Sequence, residues 1–224
     1  MKTSRLVLAF ITMVIFVISA GGMVIYLTDR PVVIFSSLQA KKNLAAVAIR
    51  DSVPLYQQAA TRAFALSYLP QYYDKVYYTT QKHYFDKQKI FIQHMQEALE
   101  NYSEVDIYIL AHGGKPFAAW VEKIPARWRK KIRLVYNSGC GSANESEKWL
   151  NIGAKTYIAH QGSKSISPIF LFYFLRRFTR GVELAEAYQE ANDYCLYRLN
   201  QLEEYTGFPS HLPEFDSQAY IFHQ

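Results

Sequence analysis

The sequence predicts an α/β domain built on a mostly parallel sheet of about six strands, preceded by an N-terminal transmembrane helix. Three observations carry this. Short runs of β-branched and aromatic residues alternate with longer helical runs, the pattern of a parallel sheet covered by helices on both faces. Two of the short runs, VDIYILAHGG and IRLVYNSGCGSAN, each end in a small-residue turn. Residues 6–27 contain 22 positions without a charge, about long enough as a helix to cross the ~30 Å hydrocarbon core of a bilayer.

Composition narrows the class further. With 224 residues, half of them apolar and 16% aromatic, the chain can bury a full core, enough for one domain plus an appendage. Lysine and arginine outnumber acids 25 to 19, but the surplus is scattered. A phosphate-tracking surface needs clustering, so no nucleic-acid partner is expected, only a slight preference for anionic surfaces. Two cysteines, Cys140 and Cys195, exclude a disulfide-scaffolded domain; a single bridge between them stays open, and two thiols with different jobs is the preferred reading.

Along the chain, residues 1–30 read as a membrane anchor. The competing reading is a cleaved signal with its apolar region at 6–18 and a small-residue site at Ser19-Ala20-Gly21-Gly22. The apolar residues continue through Met23 to Leu27, which favours the anchor. Positive charges are nearly balanced across the span, and the very short N-terminal tail favours an extracytoplasmic domain; cleavage would make the protein secreted. Residues 31–43 are an entry linker, and 44–224 form the α/β domain. Residues 44–50 read as a first strand, and 55–68 as a helix stopped near Pro70. Residues 75–80, KVYYTT, form a second strand. Residues 87–101 place Ile90, Phe91, Met95, Ala98 and Leu99 on one helical face. Strands at 105–111 and 132–137 follow, then a short helix at 145–152 and a strand at 154–159. Helices at 167–179 and 183–204 precede a last strand at 219–223.

The chemistry concentrates at two strand ends. Ligands of open α/β sheets collect outside the carboxyl ends of the strands. His112 follows the third strand and Cys140 the fourth, so neighbouring strands ~4.8 Å apart would deliver both to one edge. Gly113, Gly114, Gly139 and Gly141 would allow positive φ and close backbone approach. The N–H groups of Gly113 and Cys140 are candidate oxyanion donors. A helix starting near Asn144 or Glu145 would favour the thiolate. A nucleophile, a base and an oxyanion site thus share one edge.

A hydrophobic strand ending in His-Gly, followed by one ending in a small-residue-Cys motif, resembles the caspase-like cysteine peptidases of clan CD, which include legumain-, gingipain- and CHAT-type domains. The stretch GAKTYIAHQGSKS and the later VELAEAYQEAND are similar to the C-terminal half of CHAT-type domains. The likeness runs over roughly residues 44–192. It implies a three-layer caspase-like fold and a His112/Cys140 dyad hydrolysing peptide bonds of a protein or peptide substrate without a metal or organic cofactor. Arg50, Asp51, Gln161 and Ser163, at strand ends on the same edge, are candidates for the substrate pocket. The chain departs from the family pattern in the short 28-residue His-to-Cys spacing, in Asn137-Ser138-Gly139 before the cysteine, and in lacking an evident charged pocket residue. The alternative is therefore a catalytically inactive membrane-tethered binding module.

Blander readings stand beside these. A cysteine after an apolar strand is commonly a buried small hydrophobe; core packing is also the reading preferred for Cys195, which has Ala187, Ala191, Leu199 and Leu202 at helical spacing. His160 with His112 and Cys140 could form a zinc set, but no local ligand pair exists. The basic run 127–131 reads as a solvated face, and Asn101-Tyr102-Ser103 matters only in a glycosylating compartment. No G-x-S-x-G elbow is present. The oligomeric state is open, and the 18 tyrosines have no role assigned by sequence.

Overall fold

In the computed structural model, residues 30–36, 42–51, 53–80, 86–162, 167–207 and 218–224 are described. Runs rich in valine, isoleucine and tyrosine form seven strands: β1 (Val32–Phe35), β2 (Leu44–Asp51), β3 (Lys75–Thr80), β4 (Glu104–Ala111), β5 (Ile132–Asn137), β6 (Thr156–His160) and β7 (Ala219–His223). They lie in the order β1-β3-β2-β4-β5-β6-β7. The five central strands are parallel, and β1 and β7 close the two edges antiparallel. The helices are α1 (Leu55–Tyr68), α2 (Lys87–Asn101), α3 (Phe117–Val121), α4 (Ala126–Arg129), α5 (Ser146–Ile152), α6 (Ser167–Phe178) and α7 (Leu184–Thr206).

The sheet has one strand more than predicted. The extra strand, β1, comes from the segment read as an entry linker; its four residues are too few to show a period. The connection between His112 and Ile132 also holds two short helices, α3 and α4, which sequence reading left unassigned for the same reason. Phe117, Trp120 and Val121 of α3 are buried, so that helix is part of the core.

Alternate residues of each strand feed two cores. Val47, Ile49, Ile107, Ile109 and Val135 pack with α2, α3 and α5 on one face. Ala46, Ala48, Tyr108, Leu110 and Tyr136 pack with α1, α6 and α7 on the other. Strands buried on both faces usually carry aliphatic side chains; here six tyrosines, Tyr73, Tyr77, Tyr78, Tyr108, Tyr136 and Tyr157, are buried. Each ring fills core volume while its hydroxyl finds a polar partner. Tyr77 donates to Glu97 at 2.9 Å, Tyr157 to the Ser142 carbonyl at 2.8 Å, and Tyr73 to Asp106 at 2.5 Å. The register of β4 against β5 shifts beside Val105. Arg133, at that irregularity, grips Asp106 with two hydrogen bonds of 2.9 and 2.5 Å, giving the buried carboxylate the counter-charge it needs.

Among the described residues no helix is long and apolar enough to cross a membrane. The segment expected to do so, residues 6–27, lies outside them.

Candidate active site

The strand order fixes where a ligand can sit. From β2 the chain steps to β3 on one side, and from β4 it steps to β5 and β6 on the other. The adjacent pair β2 and β4 is thus a topological switch point, where the loops at the carboxyl ends part and leave a crevice. A cavity of about 40 Å³ lies there. The end of β4 lines it with Leu110, Ala111 and His112, and the turn after β5 with Ser138 and Cys140. Val53 contributes from just before α1, Gln57 and Thr61 from its first half, and Ser167, Pro168 and Leu171 from the start of α6.

His112 and Cys140 are therefore brought to the same cavity, His112 exposed and Cys140 half-buried. The backbones of their loops approach closely. A Cβ placed on Gly113 would stand 1.9 Å from the Cys140 carbonyl oxygen, and one on Gly139 would stand 2.9 Å from both the Gly113 N and Cα. Gly113 and Gly139 thus serve through lack of bulk, and the chain they admit is the facing loop rather than a substrate. Positive φ occurs instead at Gly114 (75°) and Gly141 (67°).

The cysteine turn is held from both sides. Asn137 Oδ1 accepts the Gly139 N–H at 3.0 Å, closing an Asx turn, and its Nδ2 donates to Tyr157 at 3.1 Å. Ser142 Oγ donates to the Asn137 carbonyl at 3.0 Å and accepts the His160 N–H at 3.2 Å. Gly141 N–H donates to the Gly162 carbonyl at 2.9 Å. Sequence reading missed Asn137 and Ser142 as organisers of this turn; the signal was the Asn at a strand end two residues before a glycine. The helix expected to start near Asn144 or Glu145 begins at Ser146, after a 3-10 turn over Ser142–Glu145.

Of the residues expected to shape a substrate pocket, Arg50, Asp51 and Gln161 are not among those lining this cavity. Arg50 is buried and donates to Tyr78 Oη at 2.9 Å and Thr80 Oγ1 at 2.7 Å. Asp51, on the opposite face, is buried and pairs with Lys87 at 2.7 Å. Gln161 is exposed beyond β6, and Ser163 lies outside the described residues. The walls near Cys140 come instead from helices α1 and α6, which no strand-end argument could select.

His160 occupies a separate environment. It is fully buried, with Nε2 3.2 Å from the Tyr136 hydroxyl and its ring edge-on to Phe170. Nδ1 has no hydrogen-bond partner among the described residues. No group of three or more metal-ligating side chains converges among those residues either. Burial lowers the His160 pKa to about 4, against a smaller upward pull from the Gln218 backbone. The unfolded chain then binds a proton that the fold excludes. This contribution to stability is intact above about pH 6.5 and is lost as pH falls toward 4, at up to about 1.4 kcal/mol per pH unit. His160→Phe removes the titrating group while leaving the Tyr136 hydroxyl its bond to the Ser167 carbonyl. Urea unfolding between pH 4 and 7 should give a shallower acid slope for the variant; parallel profiles would refute the assignment.

Neither cysteine is in a disulfide. Cys195 is fully buried on α7, and burial pushes its thiol up to about 12, which keeps it protonated and inert. No known protein family, curated protein or solved structure matches the chain.

Proposed function

We propose that the protein is a caspase-like cysteine endopeptidase with a three-layer fold, tethered to a membrane by residues 6–27. The observation that carries this reading is the meeting of His112 and Cys140 at one cavity on the switch point, with their loops in backbone contact. The Cys140 thiolate attacks the scissile carbonyl carbon, forming a C–S bond and a tetrahedral oxyanion. Backbone N–H groups of Gly113 and Cys140 are the oxyanion donors. The C–N bond then breaks as His112 delivers a proton to the leaving amine. Water, giving its proton to His112, hydrolyses the thioester and regenerates the thiolate.

The test is thiol labelling of the full chain with a fluorescent iodoacetamide, followed by peptide mapping and a peptide-library cleavage assay. Cys140 should be labelled and Cys195 spared, and labelling should abolish cleavage. A Cys140 inert to the reagent, with no peptide cleaved, would instead identify a noncatalytic binding module.

A further inference from the structure

We infer that Tyr157, a residue of β6 that is not among those lining the cavity, is a positioning residue for the proposed hydrolysis: acting through Ser142, its hydroxyl sets the direction of the Cys140 backbone N–H, a proposed oxyanion donor. This role rests on the peptidase reading above and adds to it a residue from the opposite face of the sheet.

The direction of that N–H is set at the other end of its own peptide. The Gly139–Cys140 peptide is planar and trans, so its N–H and C=O point in opposite directions. The Gly139 carbonyl accepts the Ser142 N–H at 3.1 Å. Whatever holds Ser142 therefore aims the Cys140 N–H. Ser142 Oγ donates to the Asn137 carbonyl at 3.0 Å and accepts the His160 N–H at 3.2 Å. The Ser142 carbonyl accepts the Tyr157 hydroxyl at 2.8 Å.

Tyr157 closes these bonds into a loop. Its oxygen also accepts from Asn137 Nδ2 at 3.1 Å, while Asn137 Oδ1 accepts the Gly139 N–H at 3.0 Å. One hydroxyl thus donates to the residue that follows the cysteine turn and accepts from the residue that precedes it, as a phenol can. Burial raises the Tyr157 pKa far above the ordinary phenol value, so the hydroxyl keeps its proton and remains a donor. The aromatic ring is anchored elsewhere. It stacks on Trp149 with centroids 6.2 Å apart and packs in the core under α2, α3 and α5, whereas Leu110 and Leu171 of the cavity pack in the opposite core. A phenylalanine would fill the same space and leave the bridge between Asn137 and Ser142 unmade.

The experiment compares the full chain with its Tyr157→Phe variant in two reactions of Cys140. Peptide hydrolysis builds an oxyanion and needs aligned donors. Alkylation by iodoacetamide forms a C–S bond as iodide leaves a tetrahedral carbon, and builds no oxyanion. In the variant, kcat for hydrolysis should fall at least about tenfold, with KM and the alkylation rate within about twofold of the parent's. Ser142→Ala, which removes the Oγ bonds and keeps the Tyr157 bond, should show the same split, and it decides the matter if Tyr157→Phe does not fold. Hydrolysis within about twofold of the parent's, hydrolysis and alkylation falling together, or loss of fold in both variants would overturn the positioning role and leave the peptidase reading standing. A parent chain that cleaves no peptide sinks the peptidase reading, and the positioning role with it.

Discussion

Replacing Cys140 by alanine should lower peptide hydrolysis by the full chain at least about a thousandfold, because the acyl-transfer route loses its nucleophile and only binding and backbone donors remain. The thermal midpoint should stay close to that of the parent. Cys140 is half-buried at a cavity wall, and its turn is held by Asn137 and Ser142. Hydrolysis that persists undiminished would remove Cys140 from the mechanism. Cys195 is the internal control: fully buried and held protonated by that burial, it cannot substitute as nucleophile.

Gly113→Ala should have the second large effect, on both folding and activity. The new methyl group would meet the Cys140 carbonyl oxygen at 1.9 Å and its carbon at 3.1 Å, and no side-chain rotation relieves a clash with backbone. The loops must part, at a cost of about 1–3 kcal/mol. On the proposed mechanism, displacing the His112 loop from the Cys140 loop by about an ångström should cost about a hundredfold in kcat/KM. Gly114→Ala is the matched comparison. A Cβ there has nothing within 4 Å, and the penalty is only that of φ at 75°, about 1–2 kcal/mol. Chemical denaturation and peptide turnover of the two variants check this. Equal turnover by both would show that loop contact does not set the geometry.

Much of the scaffold was legible because its signals are periodic. The helix over residues 87–101 matches its predicted limits, since Phe91, Met95, Ala98 and Leu99 mark one face and all are buried. Strands β3, β5 and β7 were equally readable. The one-turn helices α3 and α4 were not, because a helical fragment shorter than about two turns shows no period, nor was β1, whose four residues VVIF show no alternation of apolar and polar side chains. The site was half legible. His112 and Cys140 could be placed by strand ends alone, and the structure sets both at one cavity. The pocket was not, because its walls depend on how α1 and α6 pack over the sheet, a property of tertiary packing rather than of local sequence. Arg50 and Asp51 show why: both stand at a strand end, yet alternation sends them to opposite faces, where Tyr78 and Lys87 engage them. Six of the tyrosines, unassigned from sequence, prove to be core residues whose hydroxyls find partners on neighbouring strands, helices and turns.

The direction of β1 carries a consequence for the proposed tether. β1 runs antiparallel to β3, with Val32 opposite Tyr78 and Phe35 opposite Lys75. Arg30 therefore reaches the sheet at the end where β2, β4 and β5 finish, and with two strands between them β1 lies only about 14 Å from β4. If residues 6–27 lie in a bilayer, a tether attached at that corner keeps the cavity-bearing edge of the sheet close to the lipid surface. The peptide bonds within reach would then be those close to the membrane, so the attachment point would filter substrates by their height above the bilayer before any side chain is read.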